Sequence, residues 1–112
     1  MKQYINSKQL KELTPDKFRN LCKLAGDKYY YDSTDEQINK AFQNEYLTMY
    51  ISILEKTNIG QMIEILYSCD IDIMSNYYKE NEWTITFYKD EHYIFRNVKL
   101  CDALWEAVKE IL

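Results

Sequence analysis

The stretch CDIDI places Asp70 and Asp72 two residues apart at the head of a candidate strand, a spacing that lets two carboxylates share a Mg²⁺ ion and support metal-assisted hydrolysis. No downstream Lys or Asp motif completes an aspartyl-phosphate site, and a solvated strand edge, where charges deter edge-to-edge pairing, accounts for the same pair. A single histidine, His92, falls in a charged hairpin turn. It has no second His for a zinc site and no nucleophile at a recognisable spacing, so it reads as an exposed turn residue. No G-x-G-x-x-G or Walker sequence is present to bring backbone N–H groups against a phosphate. Cys22, Cys69 and Cys101 sit singly in apolar stretches, and their odd number argues against a disulfide framework; they read as reduced core residues. The expectation is a protein with no catalytic residue, no bound metal and no cofactor.

Eleven tyrosines among 112 residues stand out. Tyrosine offers large, stiff, amphipathic area at low rotamer cost, which protein-binding surfaces favour, while an AT-rich genome inflates Tyr, Asn, Lys and Ile and produces the same excess. Tyr29, Tyr30 and Tyr31 fall in a loop, and Tyr77 and Tyr78 precede the hairpin. From Glu64 to Glu91 the acidic residues are Glu64, Asp70, Asp72, Glu80, Glu82, Asp90 and Glu91, against Lys79 and Lys89. Tyr77, Tyr78, Glu80, Glu82, Tyr88, Asp90 and Glu91 are therefore the candidate partner-binding set. Such a surface could occupy a basic groove in place of phosphates, with complementary potential speeding association; ordinary solubility is the plainer reading of the same charges.

The net charge of −4 is unevenly spread, with seven basic and three acidic residues up to Tyr31 and seven basic and fifteen acidic beyond it. The acidic body argues against direct nucleic-acid binding, and a basic segment docked on an acidic body explains the split without any ligand.

The elements that must position these residues are legible from caps and periodicity. With two glycines, one proline and no linker or repeat, the chain is expected to form one domain over 1–112, long enough for its own core. LTPDKFRNLCKLAGDK carries Thr14 as N-cap, Pro15 at the first helical position and Gly26 at the end, with Phe18, Leu21, Cys22 and Ala25 inward. Before it, NSKQLKEL is either a short helical turn opened by Ser7, with Leu10 and Leu13 as contacts, or follows an extended Tyr4 and Ile5. Ser33 and Glu36 have capping-box spacing and predict a long helix over about 34–56. Asn58 and Gly60 then break it, and GQMIEILYSC predicts a shorter helix with Met62, Ile63, Leu66 and Tyr67 on one face.

The period then changes to two. Trp83, Ile85 and Phe87 alternate with Thr84, Thr86 and Tyr88, residues 89–91 turn, and Tyr93 to Phe95 return, a hairpin at about 83–96; DIDIMS is a candidate third strand. The closing LCDALWEAVKEIL is apolar round more than half its girth. Leu100, Ala103, Leu104, Ala107, Val108 and Ile111 form one stripe, and Cys101, Trp105, Val108 and Leu112 a second. Asp102, Glu106, Lys109 and Glu110 form the wet edge. One stripe is expected on the Trp83, Ile85, Phe87 face. The second meets either a neighbouring helix or a partner, with Cys101, Trp105 and Leu112 as the candidate oligomer interface. The fold class is α+β, N-terminal helices and a short antiparallel sheet closed by the terminal helix.

FRNLCKLAG, then YYYDSTDEQINKAF, a hairpin and KLCDALWEAVKEIL together resemble the small proteins of bacteriophages and prophages grouped as phage ABA-sandwich domains, over most of the chain. The resemblance implies a protein that binds and blocks a host protein, defence nucleases included, and transfers no catalytic residue. Three readings follow. One is a phage-type protein-binding inhibitor of a nucleic-acid-handling defence protein, anti-CRISPR-like in manner. Another is a homo-oligomeric binder, such as a homodimer, of a small ligand such as a nucleotide, with the Tyr cluster as an aromatic pocket. The third is a metal-dependent enzyme using Asp70 and Asp72. MKQYINSKQL lacks a signal-peptide core and no apolar run approaches a membrane span, so the expected location is the cytoplasm, with no membrane partner.

Overall fold

The computed structural model describes residues 2–26, 32–44, 48–69, 71–76, 82–88 and 92–112, with backbone alone at residues 49, 72–76 and 88. Two compact units are distinguished: Tyr4–Asn58 with Leu112, and Met1–Gln3 with Ile59–Ile111.

The first unit is helical, with α1 (Ser7–Leu10), α2 (Pro15–Leu24), α3 (Asp35–Gln43) and α4 (Thr48–Lys56). Helix α2 follows its sequence signals. The Thr14 side chain accepts from the Lys17 N–H at 3.3 Å, and Phe18, Leu21 and Cys22 are fully buried. Gly26, at φ 78°, supplies the left-handed residue that ends the helix without a Cβ penalty. Helix α1 is capped by Asn6 rather than opened at Ser7 as N-cap, with Leu10 and Leu13 buried as expected. Tyr4 is extended and bridges Asn58.

The expected long helix over 34–56 is two helices. Its N-cap is Thr34, boxed with Gln37, one residue later than the Ser33/Glu36 pair. At its end Asn44 turns extended (φ −125°, ψ 92°), its N–H still bonded to Lys40 O. Tertiary contact explains the break. Phe42 and Tyr50 stand edge to face at 6.3 Å, whereas eight residues of unbroken helix would separate their backbones by about 12 Å. Phe42 also meets Phe18 edge to face at 5.4 Å, linking α2, α3 and α4. The buried Tyr50 hydroxyl donates to Ser7 O at 2.9 Å and lies 2.6 Å from Ser7 Oγ, so it is satisfied inside the core. Arg19 donates to Asp35 at 2.6 Å, to Ser33 O at 3.0 Å and to Asp16, tying α2 to the start of α3.

The second unit contains α5 (Ile59–Ser68), β1 (Asp72–Asn76), β2 (Glu82–Tyr88), β3 (His92–Asn97) and α6 (Leu100–Ile111). Among the described residues the sheet is antiparallel in the order β1-β2-β3, so the third strand read in DIDIMS is present at the edge. The register sets Ile85 opposite Phe95 and Phe87 opposite Tyr93, placing them with Trp83 on one face. Ile85 and Phe87 are buried, and Phe87 stacks on Tyr93 at 4.9 Å and on Phe95 at 5.9 Å. Alternation is not strict, because Thr84 is also buried between its two flanking strands, its hydroxyl without a partner among the described residues. His92 opens β3 opposite Tyr88 instead of lying in the turn, and it is exposed.

Helix α6 packs on β2, β3 and α5. Its buried positions fall on both stripes. Cys101, Ala103, Leu104, Trp105, Ala107 and Val108 are all buried, while Glu106 stays exposed. Cys101 and Trp105, offered above as an oligomer interface with Leu112, therefore have no free surface for a second copy, and Leu112 is only half-buried. On α5 the buried face is Met62, Ile65 and Leu66; Ile63 is half-buried and Tyr67 points outward, because the helix turns Ile65 rather than Tyr67 toward the core. Cys69, read as a core residue, is exposed beyond the last turn of α5.

Candidate binding cleft

Within the sheet unit, the N-terminal segment, the start of β2 and the connection from β3 into α6 enclose a cleft of about 370 Å³ lined by Lys2, Trp83, Val98, Lys99 and Leu100. Each wall has a local cause. The Gln3 carbonyl accepts from the Ile59 N–H at 2.9 Å and Lys2 Nζ lies 2.7 Å from Asp102 Oδ1, so the N-terminal segment is held at both the head of α5 and the first turn of α6. Asn97 Oδ1 accepts from the Lys99 N–H at 3.0 Å, which turns the chain out of β3, and Ala103 N–H to Lys99 O at 3.1 Å starts the helix. The turn leaves Val98 two-thirds exposed (66%) and Lys99 in solvent, beside a half-buried Trp83.

The electrostatics are local. Lys2 is neutralised in part by Asp102, with both side chains mostly covered, while no ion pair engages Lys99 among the described residues. The first-turn N–H groups of α6 add positive potential at the same end. Burial raises the Cys101 thiol above its ordinary value; Lys2 opposes this and Asp102 adds to it, so burial favours the neutral thiol.

The residues singled out in the sequence are distributed differently. Asp70, Tyr77, Tyr78, Glu80, Asp90, Glu91 and the run Tyr29, Tyr30, Tyr31 lie outside the described residues. Asp72 begins β1 opposite Thr86. Glu82 and Tyr88 are the first and last residues of β2, about 20 Å apart along an extended strand, so the candidate partner-binding set spans both ends of the sheet. Among the described residues no three His, Cys, Asp or Glu side chains converge as metal ligands. Of the cleft residues, periodicity marks Trp83 and Leu100 only as core positions. Lys2 and Lys99 are 97 positions apart and no spacing links them, though an apolar Val98 between Asn97 and Lys99, outside any stripe, was a readable signal.

In the helical unit a second, shallower hollow of about 480 Å³ is lined by Tyr4, Ile5, Leu54 and Glu55. No described helix is long and apolar enough to cross a membrane. The charge also divides by unit: the sheet unit holds six basic and ten acidic residues, the helical unit eight of each, so the net −4 belongs wholly to the former. The architecture is thus that of a small α+β protein with an acidic sheet unit and a partly cationic cleft. No family model, curated protein or solved structure matches the chain.

Proposed function

We propose that the chain is a non-enzymatic protein-binding module whose acidic sheet unit meets a partner with a basic surface. The observation that carries this reading is the segregation of charge: the whole net −4 sits in the unit that also exposes Tyr67, Ile94 and Val98. Apolar and aromatic area set among like charges suits recognition of a complementary surface, with attraction speeding encounter and the apolar groups slowing release. Proteins that handle nucleic acid carry such basic surfaces. The resemblance to phage ABA-sandwich domains makes the partner a host protein of that kind, in the host cytoplasm, and the outcome its inhibition.

The test is co-purification from lysate of a low-GC Gram-positive host at low and high salt, with the wild type and with Glu64→Lys plus Glu106→Lys, two exposed carboxylates of the sheet unit. A stoichiometric nucleic-acid-handling protein, held at low salt and lost with either high salt or the reversed charges, is the expected result. Retention of the chain alone, or of a partner indifferent to both, overturns it.

A further inference from the structure

We infer that the cleft between Lys2, Trp83, Val98, Lys99 and Leu100 binds a small aromatic molecule carrying one anionic group, a carboxylate or a phosphate ester. This goes beyond the protein-binding reading and does not depend on it.

Size sets the first limit. At roughly 30 Å³ for each water displaced, about 370 Å³ is the room of about a dozen waters, enough for one or two fused rings and one charged group. The lining sets the second. Trp83 is half-buried, with no ring neighbour and no hydrogen bond among the described residues, so a face or edge of its indole remains for a flat ligand, and Val98 and Leu100 extend that wall. Lys99, with no ion pair among the described residues, presents an ammonium to the anion. Lys2, fixed by Asp102 at 2.7 Å, adds a second ammonium whose position is already set. The sign of the surroundings sets the third: a unit of net −4 repels polyanions, which favours a single anionic group over a nucleic acid or a polyphosphate.

The experiment uses the full chain labelled with ¹⁵N and follows its two tryptophan indole N–H signals during titration with 2-naphthoate, 1-naphthyl phosphate and uncharged 2-naphthol. Trp105, fully buried on α6, is the internal control. The Trp83 signal is expected to shift saturably with either anion while Trp105 holds still, and 2-naphthol is expected to bind at least about tenfold more weakly. Whichever anion binds tighter decides between a carboxylate and a phosphate source. Lys99→Glu, at an exposed position that should not disturb folding, is expected to weaken the anions about tenfold, and Lys99→Arg to retain them. Absence of a shift at Trp83, equal binding of 2-naphthol, or indifference to Lys99→Glu would overturn the assignment.

Discussion

Trp105 decides between a helix stripe that closes the protein's own core and one that waits for a second copy. It is the largest fully buried side chain, and its buried indole N–H has no acceptor among the described residues. A tryptophan of this kind covers about 200 Å² of apolar area, so truncation to alanine forfeits up to about 5 kcal/mol at 25 cal/mol/Å². Removing an orphaned N–H returns roughly 1–3 kcal/mol, leaving Trp105→Ala less stable by about 3 kcal/mol. Trp105→Phe loses only three heavy atoms, about 2 kcal/mol of transfer, and regains the same N–H, so it should fall within about 1 kcal/mol of wild type. With a urea slope of about 1.5 kcal/mol/M, the alanine midpoint drops by about 2 M and the phenylalanine midpoint by less than about 0.7 M. Far-UV circular dichroism at two protein concentrations reads both. A phenylalanine midpoint that itself drops by about 2 M would mean that the N–H has an acceptor after all, since a satisfied hydrogen bond of about 1 kcal/mol would then be lost on top of the transfer cost. Midpoints that rise with protein concentration would refute the burial argument and restore the subunit interface.

Three further expectations follow from caps and thiols. In native protein only Cys69 should react promptly with a thiol reagent, with Cys22 and Cys101 reacting after unfolding, since both are buried. Because burial raises the folded Cys101 thiol above its ordinary value, only the unfolded chain ionises there as pH climbs through that value, so stability present at lower pH should decline; Cys101→Ala should flatten the decline measured by denaturation across alkaline pH. Thr34→Ala should cost about 1 kcal/mol in thermal or urea unfolding and more than Ser33→Ala, because Thr34 supplies the N-cap of α3; the reverse order would return the cap to Ser33.

The same two helices show where sequence reasoning runs out. The ends of α2 are local chemistry: a Thr14 hydroxyl within reach of an N–H three residues on, a proline where no N–H is needed, a glycine where φ is positive. Such signals read the same in any tertiary context. The stretch 34–56 carries helix periodicity on both sides of Asn44, and what splits it is Phe42 meeting Phe18 and Tyr50, contacts that periodicity does not encode.

The α+β class, the hairpin and the two apolar stripes of the closing helix were determined by the sequence alone, because side-chain period and capping are properties of neighbouring residues. Only the tertiary structure decided that α6 packs on α5 as well as on the sheet, with both stripes buried, that Thr84 is buried beside Ile85, and that Cys69 faces solvent. It alone brought Lys2 to Asp102 across one hundred positions and so built the cleft. The physical reason is common to these cases: burial and charge pairing depend on which distant elements come together, and that choice is made by packing the whole core at once, not by any local pattern.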